Sequence, residues 1–72
     1  MLSFEPKSSS HIKLVEYEPD HKLLHVTFST TGRRYTYRNV PQAAYTNFSR
    51  YWSPGQFLHQ VIVKNYSLVE II

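Results

Sequence analysis

The chain has 72 residues and a mass of 8.5 kDa, room for one domain and no second. It has no cysteine, so neither a disulfide framework nor a thiolate zinc site is available. Eight Lys and Arg against five Asp and Glu leave a formal charge of +3, which permits an anionic partner without demanding one, while 15% aromatic and only 18% charged residues exclude a disordered chain.

Residues 1–8 read as an arm, because Pro6 and the serines that follow show no period. Met1 to Pro6 has neither a basic segment nor a long apolar one, which points away from a secretory leader and towards a cytoplasmic protein. No apolar run approaches the ~20 residues of a membrane span, so no membrane partner is expected.

His11 to Tyr17 is the first strand. Ile12 and Leu14 alternate, then Val15 and Tyr17 alternate on the opposite parity, and such a shift predicts a bulge near Leu14. Glu18-Pro19-Asp20-His21 is a turn, since proline presets one turn dihedral and aspartate bonds its local backbone. Leu23 to Phe28 is the second strand, with Leu24, Val26 and Phe28 on one side and His25 and Thr27 on the other. Ser29 to Gly32 closes a hairpin in which Gly32 is free to take a positive φ. Arg33 to Arg38 is the third strand, Tyr35 and Tyr37 opposing Arg34, Thr36 and Arg38.

Val40-Pro41 ends the sheet and starts a helix expected to run from Pro41 to about Arg50, with an apolar stripe of Ala44, Tyr45, Phe48 and Trp52. Ser53-Pro54-Gly55-Gln56 starts a second helix, Ser53 as N-cap, with Trp52 and Phe57 in the positions of a hydrophobic staple. Ser67 to Ile72 is β-branched and apolar, and reads as a fourth strand, a packed tail or a contact with a second copy. The expected architecture is α+β: a three-stranded antiparallel meander followed by two helices on one side of it, with a short C-terminal strand as an option.

In this order the pieces resemble the KTSC domain family, named for its occurrence at the C-terminus of lysyl-tRNA synthetase. The resemblance rests on Ser9-Ser10, on Ile12, Val15 and Tyr17, on Leu24 to Phe28, on Tyr35-Thr36-Tyr37 and Val40-Pro41 with Tyr45, and on Ser53 to Phe57 with Ile62 to Tyr66. It spans about Ser9 to Tyr66, so the chain divides into an arm (1–8), a KTSC-like domain (9–66) and an apolar tail (67–72). Tyr51 and His59 depart from the family's usual alanine and asparagine. The resemblance implies a small bacterial or phage protein and, through the synthetase, RNA.

The residues offer several candidate sites. Arg34 and Arg38 share one sheet side, with Arg33, Arg50 and Lys64 as further cations; together they read as a phosphate-contacting surface or as an ordinary solvated face. Tyr35 and Tyr37 are suited to stacking on bases, but their parity opposes the arginines, which favours a core role. Ser53, Gly55 and Gln56 present backbone N–H groups at a helix start, an anion site in principle, although capping alone accounts for the motif. His11, His21, His25 and His59 share no element with metal spacing, and no nucleophile–base pair stands out. The sequence thus points to a non-catalytic binding module without cofactor or metal, taking RNA or another nucleic acid on a basic sheet face. The alternative is a protein-interaction or self-association module using a sheet edge and the apolar tail.

Overall fold

The computed structural model describes residues 1–9 and 11–72; Ser10, and with it half of the serine pair, lies outside the described residues. Five antiparallel strands pair in chain order: β1 (Leu2–Phe4), β2 (Ile12–Glu18), β3 (Leu23–Phe28), β4 (Arg34–Arg38) and β5 (Ser67–Ile71). Helix α1 (Gln42–Arg50) follows β4, and a second helical run joins α2 (Pro54–Phe57), a π-helical turn (Leu58–Ile62) and α3 (Val63–Asn65). The α+β expectation holds, with a sheet of five strands in place of three.

One extra strand, β1, comes from a segment with too short a pattern to announce itself, and the other, β5, is the C-terminal strand that the apolar tail offered as an option. The segment read as an arm supplies β1, which pairs Leu2 with Tyr17 and Phe4 with Val15. Phe4 anchors it, its ring lying 5.6 Å from Tyr45 and 5.5 Å from Phe48. The apolar tail is β5, laid along β4 with Ile71 opposite Tyr35 and Leu68 opposite Tyr37. The foreseen bulge is present, since the β2–β3 register shifts between Ile12 and Leu14. A second shift leaves Val69 without a counterpart between Glu70, opposite Thr36, and Leu68, opposite Tyr37.

Register sorts the side chains into two sides. Leu2, Tyr17, Leu24, Tyr37 and Leu68 form one row, and Phe4, Val15, Val26, Tyr35 and Ile71 the next. The helices cover this side: Tyr45 stacks on Tyr17 at 5.2 Å, and Phe48 on Phe57 at 5.0 Å. Phe48, Leu58, Ile62, Val15, Leu24 and Val26 are fully buried. The Tyr17 hydroxyl donates to the Val40 carbonyl at 2.5 Å, pinning the loop that leads into α1; burial, and secondarily Tyr66, pushes its pKa up.

Local signals hold with two corrections. Helix α1 starts at Gln42, with Pro41 as its extended N-cap, because the residue at the cap must leave helical dihedrals. Ser53 caps α2, its Oγ accepting from the Gln56 N–H at 3.4 Å. Trp52, however, is neither part of the stripe nor a staple. It lies beyond the end of α1 and is exposed, and Tyr51 takes the staple's place, its ring 5.3 Å from Phe57. Gly32 has φ 72° in a hairpin closed by Gly32 N–H to Phe28 C=O and Phe28 N–H to Arg33 C=O, each 2.9 Å. Among the described residues no helix is long and apolar enough to cross a membrane.

Candidate functional site

The helices do not reach the β4–β5 end of the side they cover. There an open groove of about 510 Å³ remains, within the size range of ligand sites. Its floor is Phe28, Tyr35, Tyr37 and Leu68 from the sheet, and one wall is Leu58, His59, Val63 and Tyr66 from the second helical run. Thr30 and Thr31 of the β3–β4 hairpin close one end.

Each wall has a local cause. Phe28 and Tyr35 meet edge to face, with centroids 5.1 Å apart and planes at 80°, which holds both rings upright. Tyr37 is buried at the base, and its hydroxyl pKa is raised first by burial and then by Tyr35. The π-helical turn widens the backbone from Leu58 to Ile62, burying Leu58 and Ile62 and leaving His59 exposed. Such turns are rare and recur at functional sites. Asn65 steadies its far end, Nδ2 donating to the Val61 carbonyl at 2.7 Å.

The groove's lining contains no carboxylate. From His21 to Val69 the chain has no Asp or Glu at all, yet it carries Lys22, Arg33, Arg34, Arg38, Arg50 and Lys64. Both helical runs are therefore free of acidic side chains. Arg33 belongs to the hairpin that closes the groove, and Lys64 follows the lining residue Val63; both are exposed.

The opposite sheet side differs from the cationic face expected of it. Alternation does place Arg34, Thr36 and Arg38 there, away from Tyr35 and Tyr37. But one row across it reads Ser3, Glu16, His25, Thr36, Glu70, and Glu18 joins it, so acids interleave with the arginines. Arg34 is already engaged, its Nη2 3.6 Å from Glu16 Oε1. His25 and Thr36 are buried although no helix covers them. His25 Nε2–H donates to Glu18 Oε2 at 2.5 Å, and Nδ1 meets Thr36 Oγ1 at 2.7 Å. An ionised carboxylate only accepts, so Nε2 carries a hydrogen; a hydroxyl both donates and accepts, so Thr36 suits Nδ1 in either state. A carboxylate, an imidazole and a hydroxyl thus stand in line, and with His25 5% and Thr36 3% exposed these contacts satisfy their buried polar atoms.

The five candidate cations are spread over several elements. Arg34 and Arg38 stand on the mixed side, Arg33 at the hairpin, Arg50 at the end of α1 and Lys64 on α3. The start of α2 is occupied from within, since Ser53 Oγ takes the Gln56 N–H and the His11 ring lies over Gly55, where a Cβ would come within 3.2 Å of Nε2. Sequence reasoning placed Phe28 with Tyr35 and Tyr37 but missed Thr30, Thr31, Leu58, His59, Val63, Tyr66 and Leu68 as their neighbours; the acid-free run from His21 to Val69 was the available signal. Among the described residues no group of His, Asp or Glu is placed to hold a metal ion.

The KTSC domain pattern matches residues 8–66. The chain belongs to the KTSC domain family. The crystal structure of a KTSC domain protein from Yersinia pestis superimposes with a TM-score of 0.83 at 33% identity, covering 99% of this chain and 100% of that one. No curated protein matches significantly. Tyr35, Tyr37 and Tyr66, three of the tyrosines that carried the resemblance to KTSC domains, all line the groove.

Proposed function

We propose that this KTSC protein is a non-catalytic module that binds single-stranded nucleic acid, RNA above all, in the groove between β4, β5 and the second helical run. The observation that carries the reading is an open aromatic groove without a carboxylate, within a stretch of chain that has cations and no acids. Unpaired bases stack on aromatic rings, Thr30, Thr31 and Tyr35 supply hydroxyl-bearing side chains to the lining for base edges, and the exposed Arg33 and Lys64 suit phosphates. This relocates the contact from the sheet side bearing Arg34 and Arg38, where Glu16, Glu18 and Glu70 would repel a phosphate.

The test is anisotropy of labelled single-stranded RNA and DNA oligomers at two salt concentrations. Affinity should fall steeply with salt through counterion release. Tyr35→Leu should weaken binding at either salt, and Arg33→Gln with Lys64→Gln should flatten the salt dependence. Wild-type protein that binds neither oligomer, or binds with no salt dependence, contradicts the reading.

A second reading is favoured by β5. All of its residues are exposed, with Leu68 44%, Val69 47% and Ile71 45% accessible, and it lies at the open edge of the sheet. Such an edge accepts an added strand from another protein or a second copy. Sedimentation of wild type and Val69→Lys separates the readings: a mass above the monomer that the lysine abolishes supports strand addition.

A further inference from the structure

Trp52, the chain's one tryptophan, is 74% exposed. It sits at the corner between α1 and α2, just before the cap Ser53. Leaving the largest apolar side chain in water forgoes burial that a domain of this size needs. Yet the ring is held in place. It stacks on Tyr51 at 5.9 Å and 27°, Tyr51 leans on Phe57 at 5.3 Å, and Phe57 stacks on the buried Phe48 at 5.0 Å. A file of rings thus runs from the core to the surface and presents one indole to solvent. Arg50, exposed at the end of α1, is two residues away. Neither Tyr51 nor Trp52 lines the groove.

An exposed aromatic ring two residues along the chain from an exposed arginine, between helices that bear no acid, has the two parts an unpaired nucleotide requires: a π-face for the base and a cation for its phosphate. We propose that Trp52, seated on Tyr51, is a second stacking platform for one nucleobase, with Arg50 meeting the adjoining phosphate. The proposal rests on the nucleic-acid reading above and extends it to a second point along the strand. The lack of any Asp or Glu from His21 to Val69 favours a polyanion over a protein face, and stacking calls for a flat ring, which lipid chains do not offer.

The indole emission reports this site alone. Oligouridine RNA should quench it in wild-type protein, whereas vesicles of anionic phospholipid should not shift it. By anisotropy, Trp52→Leu should weaken RNA binding at least about fivefold, Trp52→Phe should stay close to wild type, and Arg50→Gln should lower the salt slope by about one. Circular dichroism of each variant checks the fold, which an exposed ring should not disturb. RNA binding that Trp52→Leu leaves unchanged while Tyr35→Leu weakens it overturns this inference and spares the groove. Wild-type protein that binds no RNA overturns both. An emission that shifts with vesicles, or with protein concentration alone, and not with RNA assigns Trp52 to a membrane surface or to a second copy and overturns the inference.

Discussion

The two sides of the sheet bury their side chains by different physics. On the helix side, Tyr17, Leu24, Val26 and Tyr37 are sealed by Tyr45, Phe48, Leu58 and Ile62, and what holds them is apolar area and shape. On the other side no helix is available, and His25 and Thr36 are nonetheless buried at 5% and 3% exposure, held by Glu18 and by each other. The first side tolerates no charge and has none to spend, so it is free to leave an aromatic groove open at its end. The second pairs several of its charged groups, Glu18 with His25 and Glu16 with Arg34. The side that bears Arg34 and Arg38 thus also bears Glu16, Glu18 and Glu70, and the open groove lies on the apolar side.

Substitutions should expose this contrast in their sizes and kinds. Phe48→Ala, fully buried and in contact with Phe4 and Phe57, removes a whole ring from the helix side and should cost about 3–5 kcal/mol in urea unfolding. On the other side shape should matter less than polarity: Thr36→Val keeps the volume but leaves His25 Nδ1 without a partner, costing about 1–3 kcal/mol. An equal volume-preserving change on the helix side, Ile62→Leu, should cost less than Thr36→Val, and the reverse ranking would break the comparison. Ser53→Ala removes the α2 cap and should cost about 1 kcal/mol.

The pH response belongs to the polar side. The Glu18 carboxyl is held below its ordinary range first by the hydrogen bond from His25, against an upward push from burial, with the charges of His25 and His21 adding to the lowering. A folded pKa below the unfolded one gives stability that is present in full above the usual carboxylate value, about 4.3, and is lost as pH falls through the folded value. Unfolding midpoints should decline below that pH, and Glu18→Gln should flatten the decline. Arg34→Ala should have the smallest effect, within about 1 kcal/mol, because its contact with Glu16 is partly exposed.

Much of the fold was legible because its residues obey one period at a time. Leu24, Val26 and Phe28 alternate cleanly, the parity change at Leu14 marks a real bulge, and Ser53 ahead of Pro54 and Gln56 caps a helix. β1 was not legible, since three residues hold less than two periods and Phe4 declares its role only when Tyr45 and Phe48 arrive from far along the chain. Trp52 misled because helical spacing from Phe48 continues past the point where Tyr51 takes extended dihedrals. The candidate site was only half legible. Tyr35 and Tyr37 were visible as a pair, but whether their side is sealed depends on how far the second helical run extends, and the register of β5 decides which of its residues floor the groove.

The most direct measurement is a two-dimensional NMR titration of the protein with a short single-stranded RNA at low and moderate salt. The account predicts shifts concentrated on Phe28, Thr31, Tyr35, His59, Tyr66 and Leu68, with His25, Arg34 and Thr36 unmoved. Shifts that gather on Arg34, Arg38 and their strand neighbours while the groove stays silent would contradict it.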